Sequence, residues 1–450
     1  MVNQAETGAA QAPRVPPVPG RAGLLRRAGA AFTGGLDRNF WLMWTGWTIS
    51  SAGNGLTDTA LPLLAADLTT NPSAVSLVSF ADRLPWLVLA LTGGALSDRW
   101  DRRKSLWISD AVRFVMLVGL FTAVLLDWDS IALLMVVAFA VTAIETLYDS
   151  SRASILPMLV TQDRERLELA NRRLMSANTA ALKFAGPAAG GLLYAAARAL
   201  PSLVDAVSFG LSAITSFLMR GDFTGDAAGS ARKQRPPMRR EIAEGVRWLA
   251  RHRVLRVFTL VAGLKNMCTA GQLALLVLYT RQIMHIGDVG YGLLLSSVAV
   301  GSVLAGFTCR LFTERLGPAR SSLGGSVFGA AGFAILGFTH NTALVALGLA
   351  VTGYTSMTWN VTTVSLRQAM VPRHLAGRTS GVNRLVTFGL MPIGVLISGQ
   401  IATHFGLNLV YSGEGVFGVS VAVIGLLSLS NSAVEEALRE AQALQETQPA

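Results

Sequence analysis

The stretch Gly93-Gly94-Ala95-Leu96-Ser97-Asp98-Arg99-Trp100-Asp101-Arg102-Arg103-Lys104 decides how the chain is read. It is a short polar hinge between two long apolar segments, the second beginning at Ser105. A helix leaving a bilayer needs its first polar residues where lipid ends, and Arg and Lys there favour the cytoplasmic side. So short a loop holds its flanking helices antiparallel and in contact. Gly93 and Gly94 let backbones approach closely, which is how helices pack in lipid without a hydrophobic drive between them.

The chain is 51% hydrophobic and only 14% charged, against about 25% charged residues in an ordinary soluble domain. A hydrocarbon core takes about 20 helical residues to cross, and twelve apolar runs of about that size occur: 41–64, 74–97, 105–126, 131–151, 174–196, 202–220, 255–279, 290–311, 321–338, 342–366, 381–403 and 410–430. The expected fold is an all-α polytopic membrane protein of twelve transmembrane helices in two pseudo-symmetric six-helix halves. Residues 1–39 read as a disordered cytoplasmic tail without a cleavable signal, 40–220 as the first half and 255–430 as the second. Between the halves, 221–254 is a basic linker with an amphipathic helix near Arg239–Arg253, expected at the membrane surface. The acidic tail 431–450 is expected to be helical for a few turns.

The net charge of +11 does not point to nucleic acid, because the basic residues do not gather on a soluble domain. They fall in every second loop. Of the 38 Lys and Arg, 32 are assigned to one side and only Arg198 and Arg281 to the other; Arg83, Arg113, Lys183 and Lys265 lie within spans. That bias puts both termini in the cytoplasm and the protein in the cell (inner) membrane. Cys268 and Cys309 sit in apolar runs and read as small core residues, with no disulfide framework. No metal-ligand spacing, phosphate loop or catalytic constellation appears, so neither a cofactor nor an enzyme is expected.

An internal repeat supports the two halves. Asn178 lies nine residues before Pro187, and Asn383 nine before Pro392. The fourth run leads into Ser154-Ile155-Leu156-Pro157, and the tenth into Arg367-Gln368-Ala369-Met370-Val371-Pro372. Related halves about an axis along the membrane normal place a substrate site at the midplane between them.

The pattern Gly94-x-x-x-Asp98-Arg99-x-x-Arg102-Arg103-Lys104 resembles the loop 2–3 signature of the major facilitator superfamily. Asp101 stands where that family usually has Gly, as in branches related to macrolide efflux and enterobactin export. The core Gly186-Pro187-x-x-Gly190-Gly191 resembles the antiporter motif of drug:proton exporters, which implies a bent fifth span sealed against the other half. The resemblance also implies a gating relay in which Asp149 meets Arg102 or Arg103, while Asp98 caps the eleventh span near Gly377–Gly381.

Charges inside lipid-length spans each cost about 2.5–3.5 kcal/mol or more unless paired or hydrated, so each needs a role. Asp110 and Arg113 are one helical turn apart and read as a structural pair. Asp82 and Arg83 are adjacent and are expected to point apart. Asp58 lies in the polar, Gly-broken part of the first span, and Glu145 lies deep in the fourth. A carboxyl facing a water-reachable cavity is a natural proton carrier, and these two are the candidates. The alternative for Glu145 is a fixed bridge to Lys183. Asn54, Lys265, Asn266, Gln272, Trp359 and Asn360 are the substrate-cavity candidates, with Trp44, Trp47, Tyr354 and Phe388 as weaker ones. Lys265 is expected either to neutralise Asp58 or to meet an anionic group on substrate.

The expected activity is therefore export of drug-like or secondary-metabolite small molecules in exchange for protons, by a monomer using alternating access. An uptake symporter or facilitator for a nutrient is the alternative. A transporter-like receptor that moves nothing is a third reading, disfavoured by the number of intramembrane carboxylates.

Overall fold

A computed structural model describes residues 36–89, 101–160, 164–221, 223, 238–372 and 375–446. The described residues are almost entirely helical. α1 (Arg38–Leu68), α2 (Pro72–Leu89), α3 (Arg102–Leu125) and α4 (Ile131–Leu159) follow in order. α5 (Arg164–Asn178) runs through a π turn at Thr179–Ala185 into α6 (Gly186–Ala196), and α7 is Leu200–Phe217. Next come α8 (Met238–Arg251), α9 (Arg253–Gln282) and α10 (Asp288–Leu316). A second π turn, Arg320–Gly324, opens α11 (Gly325–Ala334). α12 (Thr342–Met370), α13 (Ala376–Phe405), α14 (Leu407–Ser428) and α15 (Asn431–Glu446) complete the chain.

The hinge that opened the reading is described only from Asp101 onward. Gly94, Asp98 and Arg99, with the cap proposed for Asp98, lie outside the described residues. Asp101 is the N-cap of α3: its carboxylate accepts from the Arg103 and Lys104 amides at 2.9 and 3.3 Å. Its φ of −58° is open to any residue, so this turn does not require the glycine usual in the superfamily. Ser130 and Asn341 cap α4 and α12 in the same manner, satisfying amide groups that have no partner within the helix.

Among the described residues, seven helices (α3, α4, α7, α9, α10, α13 and α14) are long and apolar enough to cross a membrane. Their outer faces are apolar as well: Val115, Val136, Phe307 and Leu427 are all more than 60% exposed. A surface so apolar over this many helices requires lipid rather than water around it, and the protein is a multi-pass membrane protein.

Two groups of helices pack internally. In the first, α1 lies on α6 and α7, α3 on α4 and α7, and α2 on α4. In the second, α9 lies on α13 and α14, α10 on α12, and α11 on α12 and α14. The groups meet along two seams, α2 against α13 and α6 against α10. The Gly186-Pro187-x-x-Gly190-Gly191 core makes the second seam possible. A Cβ on Gly191 would lie 2.6 Å from the Asp288 carbonyl oxygen and 3.2 Å from Gly292 Cα, and one on Gly186 would lie 2.6 Å from Gly55 Cα. Thus Gly186 brings α6 onto α1, and Gly191 brings it onto α10 in the other group.

The linker helix α8 packs on α13, tied by Arg378 to Glu244 at 2.6 Å. The acidic tail forms the sixteen-residue α15, with Val434 buried among residues of the second group.

Candidate functional site

A cavity of about 260 Å³ lies between the first group and α13. Asn54 and Asp58 reach it from α1, Asp82, Arg83 and Trp86 from α2, and Thr142 and Glu145 from α4. Leu182 of the π turn also lines it, with Arg384, Phe388 and Met391 of α13 opposite. Asn54 and Asp58 are one turn apart on α1, so both face the same hollow. Asn54 Nδ2 donates to Glu145 Oε1 at 3.2 Å. Thr142 Oγ1 donates to Asp82 Oδ1 at 2.7 Å, and Arg83 Nε lies 3.3 Å from Asp82 Oδ2. The expectation that Asp82 and Arg83 cannot pair is therefore wrong, because the long arginine stem folds back past the neighbouring Cβ directions. Asp58 has no hydrogen bond or ion pair among the described residues; it faces the cavity. Arg384 lies over the Trp86 ring at 5.0 Å.

A second cavity, of about 290 Å³, lies within the other group and shares Phe388 and Met391 with the first. Lys265, Asn266, Trp359, Asn360 and Arg367 line it. The Lys265 ammonium sits 5.4 Å from the centre of the Trp359 ring, and Phe258 packs on the same ring at 5.4 Å. Asn266 Nδ2 donates to the Thr387 carbonyl at 3.0 Å. Lys265 makes no contact with Asp58, and the two line different cavities, so the neutralising pair is not formed.

Gln272 departs from expectation. It is buried beside Cys268 and Glu414 in a narrow gap against α11 and α14, not in the larger cavity. Two turns beyond Lys265 the α9 face has come to lie against α14. Glu414 escaped the sequence reading. It accepts a hydrogen bond from Ser398, while its other carboxylate oxygen and Gln272 Nε2 are buried without partners among the described residues. Its signal was a single acid within an apolar run.

The remaining charges hold structure. Arg113, 2% exposed, meets Asp110 at 2.6 Å between the Phe209 and Tyr148 rings, and Ser212 donates to the other Asp110 oxygen. Asp205 accepts from Thr57 and Ser208. Asp149 pairs with Arg152 on its own helix at 3.2 Å rather than with the hinge. Arg102 and Arg103 donate instead to the Phe223 and Phe217 carbonyls. Lys183 is exposed and not bonded to Glu145. Trp47 lies under Arg152, Trp44 packs on Trp41, and the Tyr354 hydroxyl lies 2.9 Å from Thr308 Oγ1, so none of these three is a cavity wall.

At the end of α1, Asp67 gathers charges from both groups. Arg198 Nε lies 2.8 Å from its Oδ2, and the Tyr194 hydroxyl donates to the same oxygen at 2.6 Å. Arg281 of α9 reaches its Oδ1 at 2.5 Å and holds Asp288 at 2.7 Å. These two arginines are the pair that stood apart in the loop-charge count, a signal present in the sequence and left without a role. Nearby, Gln282 donates to the Thr70 carbonyl at 3.3 Å and Ser73 lies 2.7 Å from Thr403, closing the groups on each other at this end.

Two helix groups around polar cavities, joined along two seams, define a membrane transporter rather than an enzyme. The chain matches the transmembrane secretion effector family over residues 31–448 and belongs to that family, within the major facilitator superfamily. It is 25% identical over 427 residues to the multidrug efflux pump Tap of Mycobacterium tuberculosis (strain ATCC 25618 / H37Rv), covering 86% of this chain and 92% of that one. It is 22% identical over 402 residues to macrolide efflux protein A of Streptococcus pyogenes, covering 86% and 94%. Among solved structures, the nucleoside transporter NupG superposes with a TM-score of 0.68 at 12% identity, covering 87% of this chain and 99% of that one. A bacterial homologue of the iron transporter ferroportin, in an inward-facing state, gives 0.67 at 15% identity, covering 86% and 98%. At these identities the two structures speak for the fold alone.

Proposed function

We propose that this transporter exports drug-like or secondary-metabolite small molecules in exchange for protons. Twelve spans in two six-helix halves, 40–220 and 255–430, would rock about the two seams, with both termini in the cytoplasm. On that topology the Asp67–Arg281 contact lies on the outside, so the conformation described is closed to the exterior. The hinge residues Arg102, Arg103 and Lys104 would gate the inner side, exchanging their present carbonyl partners for Asp149, here paired with Arg152, only when that side closes. The glycine core of α6 would seal the α6–α10 seam against proton leak.

The observation that carries the reading is the pairing in one cavity of an unbonded carboxylate, Asp58, with Glu145, held only by a neutral amide. An acid without a fixed cation can exchange its proton with the compartment it faces and shift the balance between two conformations by its charge. The names of two relatives, both efflux proteins, support the outward direction.

The test is a pH-gradient assay in inside-out vesicles with a panel of antibiotics and siderophores. Substrate addition should collapse the gradient, and Asp58→Asn should bind substrate without collapsing it. Gradient-driven accumulation in right-side-out vesicles would instead assign uptake. Undiminished coupling in the double variant Asp58→Asn/Glu145→Gln would refute the proton carriers.

A further inference from the structure

The two cavities differ in charge. The one bearing Asp58 holds three carboxylates beside two arginines. The one bearing Trp359 contains Lys265 and Arg367 and not a single acid among its lining residues. Neither Lys265 nor Arg367 has an ion-pair partner among the described residues; Lys265 also borders the gap that holds Glu414 without pairing with it, and its ammonium lies over the Trp359 face. A cation at membrane depth without a counter-charge is costly, and a ring face offsets only part of the lost hydration. A carboxylate can recover the rest by direct contact with the ammonium. The aromatic wall of Phe258, Trp359 and Phe388 sits beside that charge, and such surfaces accept flat apolar rings.

We infer that this cavity is the binding site for the anionic group of an aromatic, amphipathic substrate. The carboxylate, or an equally acidic group, meets Lys265, and the ring system lies on Trp359 and Phe388. Arg367, toward the end of α12, draws the anion in. The inference rests on the reading of the cavity as a substrate site, and it narrows the cargo to acids carrying aromatic rings.

The test uses full-length protein in nanodiscs of neutral lipid and three probes of equal shape: 1-pyrenebutyrate, 1-pyrenebutanol and 1-pyrenebutylamine. Binding is read as tryptophan emission lost by energy transfer to pyrene, against empty nanodiscs. Wild type should bind the butyrate about tenfold or more tighter than the alcohol, the size of one charge-assisted hydrogen bond. Lys265→Gln should bring the two within about twofold while leaving alcohol binding intact, which also shows that the variant is folded. Lys265→Arg should keep most of the preference. Acetate alone should not compete; competition by acetate at the butyrate's own concentration would overturn the aromatic part of the site. Equal or tighter binding of the alcohol or amine by wild type, or a preference that survives Lys265→Gln, overturns the whole inference. No gradient is present, so the result is separate from the export reading. Carboxylate preference without substrate-driven gradient collapse sinks export and leaves this site standing. Export of a cationic dye without carboxylate preference does the reverse.

Discussion

Asp67→Asn isolates one contact that crosses between the helix groups. The carboxylate serves Arg198 and Tyr194 within its own group, and Arg281 in the other. Asparagine keeps the shape and a hydrogen-bonding oxygen but removes the charge. Arg281 retains Asp288, so no cation is stranded. Asp67 and Arg281 side chains are each 24% exposed, and partly exposed pairs of this kind are worth about 1 kcal/mol at most. The variant should therefore favour opening at this end by up to about fivefold, since 1.4 kcal/mol is tenfold. Spin labels on Thr70 and Thr403, measured by double electron–electron resonance in nanodiscs, should show a larger long-distance population than in wild type. The same labels on Asp288→Asn should change little, because Asp288 lies in the same group as Arg281. A distance distribution identical to wild type in Asp67→Asn, with the fold intact, would refute the latch.

Other changes separate structural from functional charges. Arg113→Met leaves Asp110 buried and unpaired and should cost about 3–5 kcal/mol, seen as a large drop in melting temperature in detergent. Adding Asp110→Asn should recover much of that loss. Gly55→Ala places a Cβ 2.6 Å from the Leu182 carbonyl and 2.8 Å from Gly186 Cα. Both neighbours are backbone, so about 1–3 kcal/mol of stability should go, again read by thermal melting. Gly191→Ala should separate α6 from α10 and raise passive proton leak in liposomes without substrate. Asp101→Ala removes the cap of α3 and should cost about 0.5–2 kcal/mol, with hydrogen exchange accelerated at the Arg103 and Lys104 amides.

Local features were legible because their physics is local. Lipid-length apolar runs, a glycine core set to touch its neighbours, and Asp110 one turn from Arg113 follow from helix geometry along one segment. Depth along each span singles out Asp58 and Glu145 as alternative candidates, but not that they share one cavity. Partners far apart in sequence did not emerge. Asp67 meets Arg198 and Arg281 only once three helix ends converge. Asp149 had Arg152 one turn away, and that nearer cation took it. Gln272 shares a face with Lys265, but the face changes neighbours along α9, from open cavity to α14. Glu414 looked like one more isolated acid until Ser398 came beside it.

The π turn at Thr179–Ala185 amounts to one residue more than an even spiral would hold between Asn178 and Gly186. One residue is about 100° of rotation about the axis. Deleting a single residue there would let an unbroken α-helix form, yet it would turn α6 so that Gly186 no longer faced Gly55, or else swing α5 by the same angle. Such a shortened chain would insert and remain helical while losing the α6–α10 seam, so in this segment length is held more tightly than chemical identity.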